Sequence, residues 1–152
     1  MADIFKKLNL KDHKQVVVVN APESFELEIA ALKDLSVLRD PQEADEIPFM
    51  LAFVTKLDEI EQISLQAAEK ARGDAVVWFA YPKASSKRYQ CEFNRDTGWE
   101  AVGRAGFEPV RQVAIDEDWS ALRFRRVEYI KKLTRSTLGA LSEEGKARTK
   151  KN

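Results

Sequence analysis

Apolar residues in this chain fall into short unbroken runs rather than alternating with polar ones. The clearest runs are Val16 to Val19, Ile47 or Phe49 to Val54, and Ala75 to Tyr81. Their length and their β-branched and aromatic content fit strands. A strand apolar on both sides must be covered on both sides, as in a parallel sheet between helices. A shorter run, Leu35 to Leu38, is stopped by Arg39-Asp40-Pro41. Between the runs, apolar residues recur at helical spacing. Ile4, Phe5 and Leu8 do so in a lead-in from Met1 to Lys14, and Phe25, Ile29 and Leu32 do so after Pro22, which suits a first helical turn. Leu57, Ile60, Ile63, Ala67 and Ala71 predict the buried face of a helix opened by Thr55, with Asp58 completing a capping box, and closed by Gly73. Asn94 or Asp96 is placed to cap a short helix carrying Trp99 and Val102 and closed by Gly106.

The last two strands are Pro109 to Ile115 and Trp119 to Val127, joined only by Asp116-Glu117-Asp118. So short a link permits only an antiparallel hairpin. Leu122 and Phe124 alternate with Arg123 and Arg125, as on a strand with one wetter face. Glu128 to Leu133 reads as helix. Alternating strands and helices with right-handed crossovers predict a mostly parallel α/β sheet. With the predicted strands numbered in order, the arrangement is 2-1-3-4-6-5 with strand 6 antiparallel, a Rossmann-like, methyltransferase-like fold. Residues 1–133 form one domain, and 134–152 are expected to be a mobile basic tail.

The Ala75–Tyr81 run organises the rest. Pro82 ends it, since proline lacks an N–H for the ladder. Lys83, Ser85, Ser86, Lys87 and Arg88 follow at once, so the core gives way to a loop suited to phosphate or carboxylate. Net charge is zero over 152 residues, yet from Arg125 onward nine Lys/Arg face three Asp/Glu. An acidic body with a basic end admits an interaction role through the tail. The basic residues are not interleaved with aromatics, so nucleic acid is not an expected partner. A single cysteine, Cys91, excludes an internal disulfide and a cysteine zinc cluster and fits a reducing cytoplasm. The charged start has no apolar stretch of a signal peptide, and no apolar run reaches membrane-spanning length.

Four segments, V-V-V-V-N-A-P-E-S-F, V-V-W-F-A-Y-P-K-A-S-S, G-W-E-A-V-G-R-A-G-F-E-P-V and A-I-D-E-D-W-S-A-L-R-F-R, span Val16 to Arg126. Together they resemble a bacterial family of uncharacterised proteins with a methyltransferase-like core. The resemblance implies the fold and a bacterial cytosolic setting, and no activity.

The chemistry in the chain is sparse. A nucleotide-type site needs glycines after the first strand, and that position reads Asn20-Ala21-Pro22-Glu23. The missing glycines predict no cofactor and no S-adenosylmethionine binding at micromolar levels, hence a non-catalytic binding module. The alternative is a divergent adenosylmethionine-dependent methyltransferase. Asp40 sits where an acid could hold a ribose, though an Asp before Pro41 also suits a turn. His13, the one histidine, lies in the lead-in and is expected at the surface, so triads and multi-histidine metal sites are excluded. Cys91 has no histidine near it in sequence and is not expected to be a nucleophile. Trp78, Trp99 and Trp119 are expected in the core. Any small-molecule site is expected beyond the C-terminal ends of strands 1, 3 and 4. There Asn20, Glu23, Thr55, Lys56, Lys83, Ser85 and Ser86 would face an anionic ligand, with the helix near Pro22 offering its positive end.

Overall fold

A computed structural model describes residues 3–93 and 97–130. The strands are β1 (Gln15–Val19), β2 (Ser36–Leu38), β3 (Phe49–Phe53), β4 (Val76–Pro82), β5 (Phe107–Ala114) and β6 (Trp119–Arg126). They form one sheet in the order β2-β1-β3-β4-β6-β5, the order read from the sequence. The first four are parallel, and β6 runs antiparallel to both β4 and β5. Its antiparallel pairing with β5 follows from the short Asp116–Asp118 turn. There Asp116 Oδ1 accepts from the N–H groups of Asp118 at 2.8 Å and Trp119 at 2.9 Å.

The helices are α1 (Asp3–Lys7), α2 (Glu26–Ala30), α3 (Leu57–Lys70) and α4 (Glu100–Arg104). They divide between the two sheet faces, which explains the unbroken apolar runs. On one face Val17, Met50, Ala52, Val77, Phe79 and Leu122 meet Ile60, Ile63 and Ala67 of α3 and Val102 of α4. On the other, Val16, Val18, Leu51 and Trp78 meet Phe5 and Leu8 of the lead-in and Phe25 and Ile29 after β1. All three tryptophans are buried, as expected. The Trp78 indole N–H donates to the Leu8 carbonyl at 2.7 Å, fixing the lead-in to the central strand. Arg126 at the end of β6 donates to the carbonyls of Ala71 and Ala68, answering the orphan acceptors at the C-terminus of α3.

Several local expectations are corrected. Leu57 is 47% exposed, because it opens α3 and its turn stands clear of the sheet. The cap of α3 is Lys56 rather than Thr55, with Glu59 instead of Asp58 reaching back. The stretch after Pro22 is not one helix reaching Leu32. It is a 3-10 turn (Glu23–Phe25) leading into a five-residue α2. Asp34, at φ 62°, then turns the chain into a three-residue β2. A further 3-10 turn occupies Val127–Tyr129, where an α-helix from Glu128 was expected. His13 is half-buried rather than superficial: its ring lies edge-on to Phe49, 5.4 Å between centroids. The Asn94 or Asp96 cap and the 134–152 tail lie outside the described residues.

Candidate functional site

The C-terminal ends of β1, β3 and β4 are finished in three different ways. After β1, Asn20 takes φ 56°, a left-handed turn that asparagine tolerates better than most residues. Asn20 is exposed, and so is Glu23, the first residue of the following 3-10 turn. Pro22 precedes that turn in extended conformation and has no N–H to offer a ligand. The turn and the five-residue α2 do not supply the long, aligned helix that the expected anion site near Pro22 requires.

After β3 the backbone donors are answered internally. Glu59 Oε1 accepts from the N–H groups of Thr55 at 2.9 Å and Lys56 at 3.1 Å. Glu92 folds over from the loop beyond β4, and its Oε1 accepts from Leu57 N–H at 2.9 Å. Its own N–H donates to the Thr55 carbonyl at 3.0 Å. Two carboxylates therefore meet the positive end of α3, where a helix start would otherwise attract an anion. The K-L-D-E spacing from Lys56 to Glu59 carries a sequence signal for half of this arrangement. Glu92, 35 positions from Leu57, carries none.

After β4 the chain leaves the sheet through buried Pro82 without entering a helix. Lys83 N–H donates to the Asp118 carbonyl at 2.8 Å, tying the loop to the β5–β6 turn. Ser86 strengthens this tie: its hydroxyl donates to Asp118 Oδ1 at 2.9 Å and accepts from Tyr89 N–H at 3.3 Å. The single hydroxyl proton of Ser86 is thus engaged within the loop. Beside the loop is an open cavity of about 710 Å³, lined by Lys83 and Ser86 together with Tyr81, Tyr89, Gln90, Cys91, Phe93, Gln112 and Ser120. Gln112 of β5 donates from Nε2 to Tyr81 Oη at 2.9 Å, joining β4 and β5 across β6. Burial pushes the Cys91 thiol above its usual range, the reverse of what activates a nucleophile.

Of the sequence-predicted set, Lys83 and Ser86 meet in this cavity and Ser85 is exposed beside it. Thr55 and Lys56 belong to the closed β3 turn, and Asn20 and Glu23 to the β1 end. Gln90, Gln112 and Ser120 are additions that sequence reasoning missed. Gln112 and Ser120 come from β5 and β6, and no local spacing connects them to Lys83. Asp40 accepts from Gln42 N–H at 2.9 Å through Oδ1, as a turn-forming residue does.

The strand order and the switch between β1 and β3 define a methyltransferase-like Rossmann fold. Solved structures agree. An S-adenosylmethionine-dependent methyltransferase from Aquifex aeolicus superimposes with a TM-score of 0.52 at 15% identity, over 82% of this chain and 88% of that one. A protein assigned to the type 11 methyltransferases, from Sulfolobus solfataricus, gives 0.51 at 12% identity, over 87% and 93%. At such identities the likeness is one of fold. No family model and no curated protein matches the chain, so the methyltransferase-like core stands without the bacterial family that the four segments resemble. No helix among the described residues is long and apolar enough to cross a membrane.

Proposed function

We propose that the protein is a divergent S-adenosylmethionine-dependent methyltransferase, with a non-catalytic binding module on the same fold as the second reading. The fold neighbours favour the first reading over the second. Fold alone does not fix function, so the argument rests on the switch point. The observation that carries it is Asn20, whose φ of 56° keeps the tight turn after β1 that glycine makes in Rossmann sites. Asp40 adds an exposed acid just after β2, and Oδ2 of its carboxylate has no partner among the described residues. The adenosyl group would supply the transferable methyl. Asn20, Glu23 and Asp40 would hold and orient it.

A specific observation also favours the second reading. Glu59 and Glu92 fill the turn after β3, and Ala21-Pro22 stands where further glycines would let a ligand approach the backbone. On that reading the site is reduced to the cavity beside β4. A bacterial cytosolic setting belongs to the same proposal and rests on the family resemblance and the single cysteine.

Titration calorimetry with S-adenosylmethionine separates the two. The methyltransferase reading expects a dissociation constant below about 10 μM, or about −7 kcal/mol. It further expects binding to survive Asn20→Gly and to fail in Asn20→Val, since a β-branched residue resists the left-handed turn. Absence of binding at about 1 mM ligand, about −4 kcal/mol, leaves the binding module.

A further inference from the structure

The cavity beside β4 has a composition that its place in the fold does not require. Lys83 is the one charged side chain among the described residues that line it. It is half-buried, and its ammonium has no carboxylate partner among the described residues. Asp118, the acid tied into this loop, is engaged through its carboxylate by Ser86 and through its carbonyl by the Lys83 backbone. Around the lysine stand neutral hydrogen-bonding groups, namely Gln90, Gln112 and Ser120, and the aromatic rings of Tyr89 and Phe93. Neutral polar groups with a flat apolar wall suit an organic body, and a partly desolvated cation without a counter-ion suits one negative charge. The volume of about 710 Å³ lies within the range of small-molecule sites.

The geometry points to a binding site for a small organic oxyanion, a carboxylate or phosphate on a compact aromatic or polar body, with Lys83 as its counter-ion. Lys83 receives the anionic oxygens. Gln112 is held in place by its bond to Tyr81 and offers its amide to the rest of the ligand. Ser86 does not contact the anion. It fastens the loop that carries Lys83 by binding Asp118. The site is separate from the Asn20 turn and stands whether or not S-adenosylmethionine binds there.

Cys91, the chain's only cysteine, lines the same cavity and is a built-in reporter. The rate of its alkylation by iodoacetamide is to be followed with benzoate as the carboxylate probe, phenyl phosphate as the phosphate probe and benzyl alcohol as the uncharged control. At about 10 mM probe, one or both anions should slow alkylation about threefold or more through occupancy, and the alcohol should not. Which anion protects assigns the class. Protection should persist in Lys83→Arg and in Lys33→Ala, a charge loss at an exposed position elsewhere, and disappear in Lys83→Ala and Lys83→Met. The methionine variant keeps the apolar stem, so it tests the charge even if the alanine variant folds poorly. Equal protection by the alcohol, no protection by either anion, or full protection in Lys83→Met would overturn the assignment.

Discussion

β3 and β4 lie side by side and parallel, yet their ends have opposite fates. The end of β3 runs into a 14-residue helix, and the junction is closed from within the chain: three amides are answered by Glu59 and Glu92, and the Thr55 carbonyl by Glu92 N–H. The end of β4 runs through a proline into a loop. The loop is pinned at two points to Asp118, and a cavity remains with a lysine that has no carboxylate partner among the described residues. A helix start is commonly the place to look for an anion. Here the helix start is closed by the protein's own carboxylates, and the position without a helix is open. Whether a backbone terminus is a site depends on what already satisfies it.

The largest test of this contrast is Gly98→Ala. Gly98 has φ 93°, and an added Cβ would come within 2.5 Å of the Phe93 Cβ and 2.9 Å of Leu57 Cδ2. The substitution strains the backbone and wedges the Glu92–Phe93 segment off the start of α3. A loss of about 2–4 kcal/mol in urea unfolding is expected. A loss too small to measure would mean that this segment does not hold the β3 end closed. Next is Glu59→Ala, which strips the acceptor from two amides and should cost about 1–2 kcal/mol. Calorimetric anion binding that appeared at the β3 end of this variant would show that the carboxylate had been excluding ligand. Glu92→Gln keeps the shape and removes the charge facing the helix start, and about 0.3–1 kcal/mol should be lost, less at high salt. An equal loss at all salt concentrations would point to packing instead.

The smallest effect is a pH response at the opposite end of β3. Burial against Phe49 pulls the His13 pKa down, only partly offset by Asp12. The unfolded chain then takes up its proton at a higher pH than the folded one. Stability should therefore be full above the unperturbed histidine value of about 6.5 and fall as pH drops through the lowered value. Urea midpoints from pH 8 down to pH 5 should show this slope in the native chain and lose it in His13→Phe. A slope that persists unchanged assigns it to other groups.

The sheet was legible because its evidence is repeated along the chain. Unbroken runs such as Val16–Val19 and Ala75–Tyr81 demand cover on both faces, and the Asp116–Asp118 link leaves no alternative to a hairpin. Boundaries were less legible where two patterns overlap. The Phe25, Ile29, Leu32 stripe continues past the point where Asp34 turns the chain, and Leu57 has helical spacing but sits on a first turn that the sheet does not reach. In the site, Lys83 and Ser86 were visible because they follow the central strand directly. Ser86's engagement with Asp118, the closure by Glu92 and the contributions of Gln112 and Ser120 all depend on contacts across 30 residues or more. Spacing rules do not extend to such distances.

The placement of β6 also bears on how the chain is made. β4 lies inside the sheet, but its second neighbour, β6, is the last of the described strands to be synthesised. As the polypeptide leaves the ribosome, β4 can pair with β3 at once, while its other edge waits until Trp119–Arg126 has emerged. During that interval a seven-residue apolar strand presents an open row of backbone donors and acceptors, the configuration most prone to pairing with another nascent chain. Pro82, at the tip of that strand, removes one donor from the exposed row. The centre of the finished protein is thus its point of greatest exposure during translation.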